Sequence, residues 1–157
     1  MKKEIKLTPQ QALVKLAHYC AYQERCHIEV TNKLAEYGVY YQDAEQVIAE
    51  LIIQNYLNEE RFAKAFAGGK FRVKKWGRNK IKQELKLKKV SDYCIQQGLK
   101  EIDNEQYIQV LEKEAIQKYK TVKDKNFLVK ANKTAQYLVS RGFETDLVWD
   151  VVKAISK

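Results

Sequence analysis

Proline, glycine, histidine and cysteine are all scarce in this 157-residue chain, and each shortage excludes something. One proline and six glycines leave too little turn chemistry for a many-stranded β protein. Two histidines narrow the options for acid–base or metal chemistry. Three cysteines, Cys20, Cys26 and Cys94, cannot all pair within one chain and form no C-x-x-C, which suits a reducing compartment. No apolar run approaches the ~20 residues of a membrane span. Met1-Lys2-Lys3-Glu4-Ile5-Lys6 is not followed by the apolar stretch of a secretory leader, so a cytoplasmic protein is expected. The length is that of one ordinary domain, long enough to bury a core without disulfides or metal.

What is abundant is positive charge in one place. Lysine and arginine number 29 against 20 acids, a net charge of +9. Ten of those cations fall between Lys70 and Lys89: Lys70, Arg72, Lys74, Lys75, Arg78, Lys80, Lys82, Lys86, Lys88 and Lys89. Glu84 is the single acid among them, so this segment carries the whole excess while the rest of the chain is neutral. A field so concentrated suits a polyanionic partner.

Apolar residues recur with helical period from end to end. Leu13, Leu16, Ala17 and Cys20 follow the i, i+3, i+4, i+7 pattern, as do Ala44, Val47, Ile48 and Leu51. Phe62, Phe66, Gly69, Val73 and Trp76 predict one buried face, and close approach of a neighbouring helix is expected at Gly69. Ile108, Leu111, Ala115 and Tyr119 predict another, Phe127, Ala131, Thr134 and Leu138 a third, and Leu147 to Ile155 a last apolar stripe. No window alternates with period two. Thr8-Pro9, Asn58, Ser91-Asp92 and Thr145-Asp146 read as helix starts, and Gly38 and Gly142 as left-handed helix ends.

These signals repeat. Leu34, Leu85 and Leu138 are each followed by a turn residue (Gly38, Lys89, Gly142), an apolar residue (Val39, Val90, Phe143) and a second amphipathic helix, at spacings of 51 and 53. The expectation is an all-α chain of about nine helices in an elongated array of three tandem three-helix units, residues 8–55, 56–103 and 104–157.

Enzymatic readings fare poorly. His18, Cys20, Cys26 and His27 match no zinc-site spacing, and no third group orients a Cys–His pair. Gly68-Gly69 lacks the G-K-[ST] of a phosphate loop. Carboxylates occur near helix starts and on polar faces. No enzyme, metal or cofactor is expected. On the helix after Gly77, Arg78, Lys82, Lys86 and Lys89 read as an exposed stripe beside Ile81 and Leu85, whose like charges repel. Two helices joined by a tight turn have the outline of a helix-turn-helix. With Asn79 and Gln83 alone suited to base-edge amide contacts, phosphate tracking is favoured over sequence readout, and Trp76 reads as core.

Tyr56-Leu57-Asn58-Glu59-Glu60-Arg61-Phe62-Ala63 resembles the Y-[IL]-[DN]-[DE]-x-[RK]-[FY]-A signature of the second repeat of the RecX family of bacterial recombination regulators. Gly77 with Lys80-Ile81-x-x-Glu84-Leu85 is similar to the family's G-x-x-[RK]-I-x-x-E-L, and Tyr137-Leu138-x-x-Arg141-Gly142-Phe143 to its third-repeat element. Arg25, Glu29 and Leu34 loosely match the first repeat. Asn55, Asn58, Lys89, Val30 and Cys26 depart from the family's usual residues. The resemblance implies a cytoplasmic, non-enzymatic inhibitor of the RecA recombinase, acting in DNA recombination, repair and the SOS response. Such a protein binds the RecA–DNA filament, and binds single- and double-stranded DNA weakly without sequence preference. A monomer is expected, with Lys70, Arg72, Lys74, Lys75, Arg78, Lys80, Lys82, Lys86 and Lys89 at the RecA and DNA contact. The alternative is a free-standing helical nucleic-acid-binding protein with no recombinase partner.

Overall fold

The computed structural model describes residues 6–156, and among the described residues there are nine helices and no strand. Residues 1–5, part of the stretch read for a secretory leader, lie outside them, as does residue 157. The helices are α1 (Pro9–Tyr22), α2 (His27–Glu36), α3 (Tyr41–Ile53), α4 (Glu59–Lys74), α5 (Arg78–Leu87), α6 (Asp92–Leu99), α7 (Asn104–Thr121), α8 (Phe127–Ser140) and α9 (Thr145–Ile155). Helix-on-helix packing runs chiefly within α1–α3, within α4–α6 and within α7–α9.

Local chemistry explains the boundaries. Thr8 caps α1 through the Gln11 amide while the Gln11 side chain returns to Thr8. Asn58 and Ser91 accept from the amides of Arg61 and Cys94 to open α4 and α6. Thr145 does not play that part: it is the first residue of α9, and the cap position belongs to Glu144, whose carboxylate is used elsewhere. The repeated turn is built alike three times. Gly38, Lys89 and Gly142 have φ of 74°, 59° and 99°. The next amide in each case reaches back to Leu34, Leu85 or Leu138 at 2.9, 3.1 and 3.2 Å. Val39, Val90 and Phe143 then turn inward and are buried. The middle unit therefore makes with a lysine the left-handed turn that its neighbours make with glycine, against the steric preference of L residues.

The apolar stripes hold with two corrections. On α4 the buried line is Phe62, Ala63, Ala67 and Phe71, whereas Val73 is 77% exposed. A Cβ on Gly69 would meet nothing within 4 Å. Close approach occurs instead at Gly98 on α6, where an added Cβ would stand 2.7 Å from the Ala63 carbonyl oxygen. α4 has apolar residues on two faces, and the phase of a 3.6-residue period does not say which one is covered. On α8 the line Ala131, Thr134, Leu138 is buried but Phe127 is 59% exposed.

The buried residues form two clusters. Ala12, Leu16, Val30, Leu34, Val47 and Leu51 with Leu57 make one under α1–α3. The other is continuous through α4–α9, from Phe62 and Ile81 to Leu138 and Val152, and takes in Cys26 from the first unit.

Candidate polyanion-binding surface

The cations of Lys70–Lys89 lie on the last turns of α4, on the α4–α5 link, on α5 and in the turn that closes it. Ile81 and Leu85 on α5 are fully buried. At about 100° per residue, Arg78, Lys82 and Lys86 fall on one flank of that buried line and Lys80 and Glu84 on the other, while Lys88 and Lys89 belong to the turn that closes the helix. The segment thus presents two basic surfaces rather than a single stripe.

On the first flank Arg78 is not free. Its guanidinium donates to Glu144 Oε2 at 2.9 Å and to Asn104 Oδ1 at 2.9 Å, and lies 3.8 Å from the centre of the Tyr107 ring. Its own amide donates to the Tyr107 hydroxyl at 3.0 Å, and that hydroxyl donates to Glu144. Arg78 is therefore a joint between the second and third units, which corrects its place in an exposed stripe. Burial, then the bond to Glu144, hold the Tyr107 phenol above its ordinary value of 10.0. Lys86, and Lys89 in the turn beyond, are exposed and Lys82 is half-buried, and these three cations are unpaired among the described residues.

The second surface centres on two aromatic rings. Phe66 and Trp76 meet edge-on at 6.5 Å. Lys70 and Lys80 stand 5.0 and 4.7 Å from the centre of Trp76, and Lys70 and Lys88 stand 5.4 and 5.9 Å from that of Phe66. Cations over ring faces gain from the ring quadrupole, which offsets part of their mutual repulsion. Trp76 is half-buried against the core, so its reading as a core residue describes only one side of it. Beside the rings, Ala65, Phe66, Gly69 and Val73 with Lys70 and Lys74 line an open hollow of about 270 Å³. Arg72 is exposed and folds its guanidinium over Gly68. Lys75 closes α4 in the left-handed region, with φ 57°. Among the described residues, Arg78 is the one cation of the ten with a carboxylate within 4.0 Å. Glu24 and Glu29 do face a neighbouring hollow shared with Lys70 and Lys88.

Elsewhere the side chains are structural. Cys20, Cys26 and Cys94 are free and buried, and burial raises each thiol above its ordinary value, Cys26 to about 11. Cys26 caps α2 with its amide and thiol both donating to Glu29. His18 is exposed while Cys20 points into the core. No three His, Cys, Asp or Glu residues among those described are placed to hold a metal ion. No helix among them is long and apolar enough to cross a membrane.

Sequence spacing missed the Arg78–Tyr107–Glu144 network because its members are 29 to 66 residues apart. The ring-and-lysine cluster did leave a signal, since aromatic and basic residues interleave from Phe66 to Trp76.

Comparison with known proteins gives a consistent result. Residues 58–99 match the model of the RecX second three-helix domain, and residues 104–152 that of the third. Regulatory protein RecX of Leuconostoc mesenteroides subsp. mesenteroides is 29% identical over 127 residues, 81% of this chain and 48% of that protein. Regulatory protein RecX of Lactobacillus johnsonii is 36% identical over 91 residues, 58% of this chain and 34% of its own. The chain thus spans about half or less of the curated relatives it matches. A crystal structure of RecX from Lactobacillus salivarius superposes with a TM-score of 0.85 at 20% identity, covering 94% of this chain and 96% of that one. At that identity the likeness speaks for the fold.

Proposed function

The chain belongs to the RecX family, and from that premise we propose that it is a regulator that inhibits the RecA recombinase by binding the RecA–DNA filament through the middle unit. The observation that carries this reading is the set of nine basic side chains between Lys70 and Lys89 left without a carboxylate partner among the described residues. A surface shaped for stability alone would intersperse the signs. Filament and DNA phosphate both supply the missing negative charge. The units, taken as residues 8–55, 56–103 and 104–157, give several modest contacts that act together through effective concentration. On this reading the protein is a cytoplasmic monomer with no catalytic step.

Lys82 and Lys86 on α5, with Lys89 in the turn beyond it, are the phosphate-tracking cations, because the helix's own acid, Glu84, lies on the other flank and Glu144 is taken up by Arg78. Arg78, paired to Glu144, is left out of that role. Replacing the three lysines by alanine is expected to flatten the slope of log K against log salt for duplex DNA by about 2.7 units, with helicity retained. An unchanged slope places the phosphate contact elsewhere.

The function itself is tested by strand exchange and filament pull-down with RecA of the same organism. Inhibition that saturates with added protein is the expected result. No inhibition at saturating protein, with DNA binding still tight, overturns it in favour of a free-standing nucleic-acid binder.

A further inference from the structure

Gly69 is unexplained by anything inside the fold. It sits in the interior of α4, where glycine weakens a helix, yet a side chain there would enter open space. Along the same line Ala65 is exposed, and Val73 is 77% exposed. Together with Phe66 they form an apolar floor running two turns along the helix. Lys70 and Lys74 rim it, and Lys80 and Lys88 stand beyond it over the Trp76 and Phe66 rings. None of these four lysines is ion-paired among the described residues.

Resting on the filament-binding reading above, we infer that this α4 face docks an acidic protein segment that lays one apolar side chain over Gly69 between Phe66 and Val73 and sets its carboxylates against Lys70, Lys74, Lys80 and Lys88. The chemistry favours a protein segment over nucleic acid here. Base stacking needs an open ring face, and the lysine ammonium groups already stand over Phe66 and Trp76. The floor of the hollow offers apolar side chains and no side-chain donor for a base edge. An apolar anchor with flanking acids satisfies both the bare floor and the cationic rim, as buried anchors within polar rims do at protein interfaces. The two basic surfaces then divide the work: the α5 flank meets phosphate, and the α4 face meets the protein partner.

The test uses the full chain, RecA without DNA, and a duplex oligonucleotide without RecA. Gly69→Leu fills the hollow while favouring the helix, so it folds. It is expected to weaken binding to RecA by about tenfold or more, with binding to the oligonucleotide unchanged. Val73→Glu, which sets a like charge against the incoming acids, is expected to do the same. The Lys82, Lys86 and Lys89 triple alanine variant shows the reverse pattern. If Gly69→Leu and Val73→Glu bind RecA as the native chain does, the docking inference is wrong and the filament reading stands. If both variants lose oligonucleotide affinity instead, the hollow belongs to nucleic acid. A native chain that binds the oligonucleotide but neither RecA nor the RecA–DNA filament removes both readings together.

Discussion

The two joints between successive units are made from different materials. Where α4–α6 meets α7–α9, backbone touches backbone: the Gly77 amide donates to the Arg141 carbonyl at 2.8 Å, and the Asn79 amide to that of Gly142 at 2.9 Å. A Cβ on Gly77 would lie 2.2 Å from the Gly142 carbonyl carbon. Phe71, Tyr107 and Phe143 continue the contact as a chain of rings at 5.7 and 5.4 Å. Arg78 and Arg141 pin its edges, Arg141 on the Lys74 carbonyl. Where α1–α3 meets α4–α6, side chains reach across: Arg61 pairs with Glu24 at 2.5 Å and bonds the Asn55 and Tyr56 carbonyls, while Cys26 enters the neighbouring core. A joint of close-packed backbone admits almost no substitution, whereas one of long side chains yields locally. Arg78 and Lys74 stand at the backbone-packed joint, whereas Lys70 and Lys88 face Glu24 and Glu29 at the side-chain joint.

The sharpest way to break that contrast is Gly77→Ala. Its methyl group has nowhere to go, and a loss of about 3 kcal/mol is expected, the upper part of the range for overpacking. Both tryptophans, Trp76 and Trp149, lie beyond the first unit. Tryptophan fluorescence should therefore show an earlier urea midpoint than far-UV circular dichroism, which also reports α1–α3. Coincident, unshifted transitions would mean that the second joint is not tight.

Arg78→Ala is expected to cost about 2 kcal/mol, since it strips charge-assisted hydrogen bonds from a half-buried carboxylate. Tyr107→Phe, which removes the hydroxyl shared with Glu144, should act in the same direction, and a double-mutant cycle between them should show coupling. Additive effects would dissolve the network into separate contacts.

A pH series probes Cys26 at the other joint. Its thiol is held up to about 11 in the folded chain, mainly by burial, against an ordinary 9.0. The folded state thus keeps a proton that the unfolded chain gives up. This contribution is complete below pH 9 and is lost as pH rises toward 11. Stability should fall across that window, and fall less in Cys26→Ser under reducing conditions. An identical slope in both proteins assigns the loss to other groups, Tyr107 first.

Arg61→Ala is the mildest disruption, at about 1 kcal/mol, because its ion pair with Glu24 is partly solvated. Gly69→Ala closes the scale from the opposite side. With no neighbour for the new methyl group, it should stabilise by about 1 kcal/mol, read as a later urea midpoint.

Much of this architecture was legible in the chain. Caps at Thr8, Asn58 and Ser91 and left-handed ends at Gly38 and Gly142 act through neighbours three to five residues away, so spacing alone reveals them. Lys89 was recoverable through the repeat, since it occupies the register of two glycines. The face of α4 was not, because Phe66, Gly69 and Val73 are as periodic as Phe62, Ala67 and Phe71. Only packing against α6 decides between them. The basic surface was legible as charge but not as shape. Which cation is spent on the fold depends on Glu144, brought from 66 residues away, and no local pattern carries that information.

The separate apolar cluster beneath α1–α3 has a mechanical consequence. Pulled by its ends in an optical trap, the molecule should yield first near residues 54–58, releasing the first three helices while the remainder bears the load. A second, higher-force rip should follow when the glycine-to-glycine seam parts.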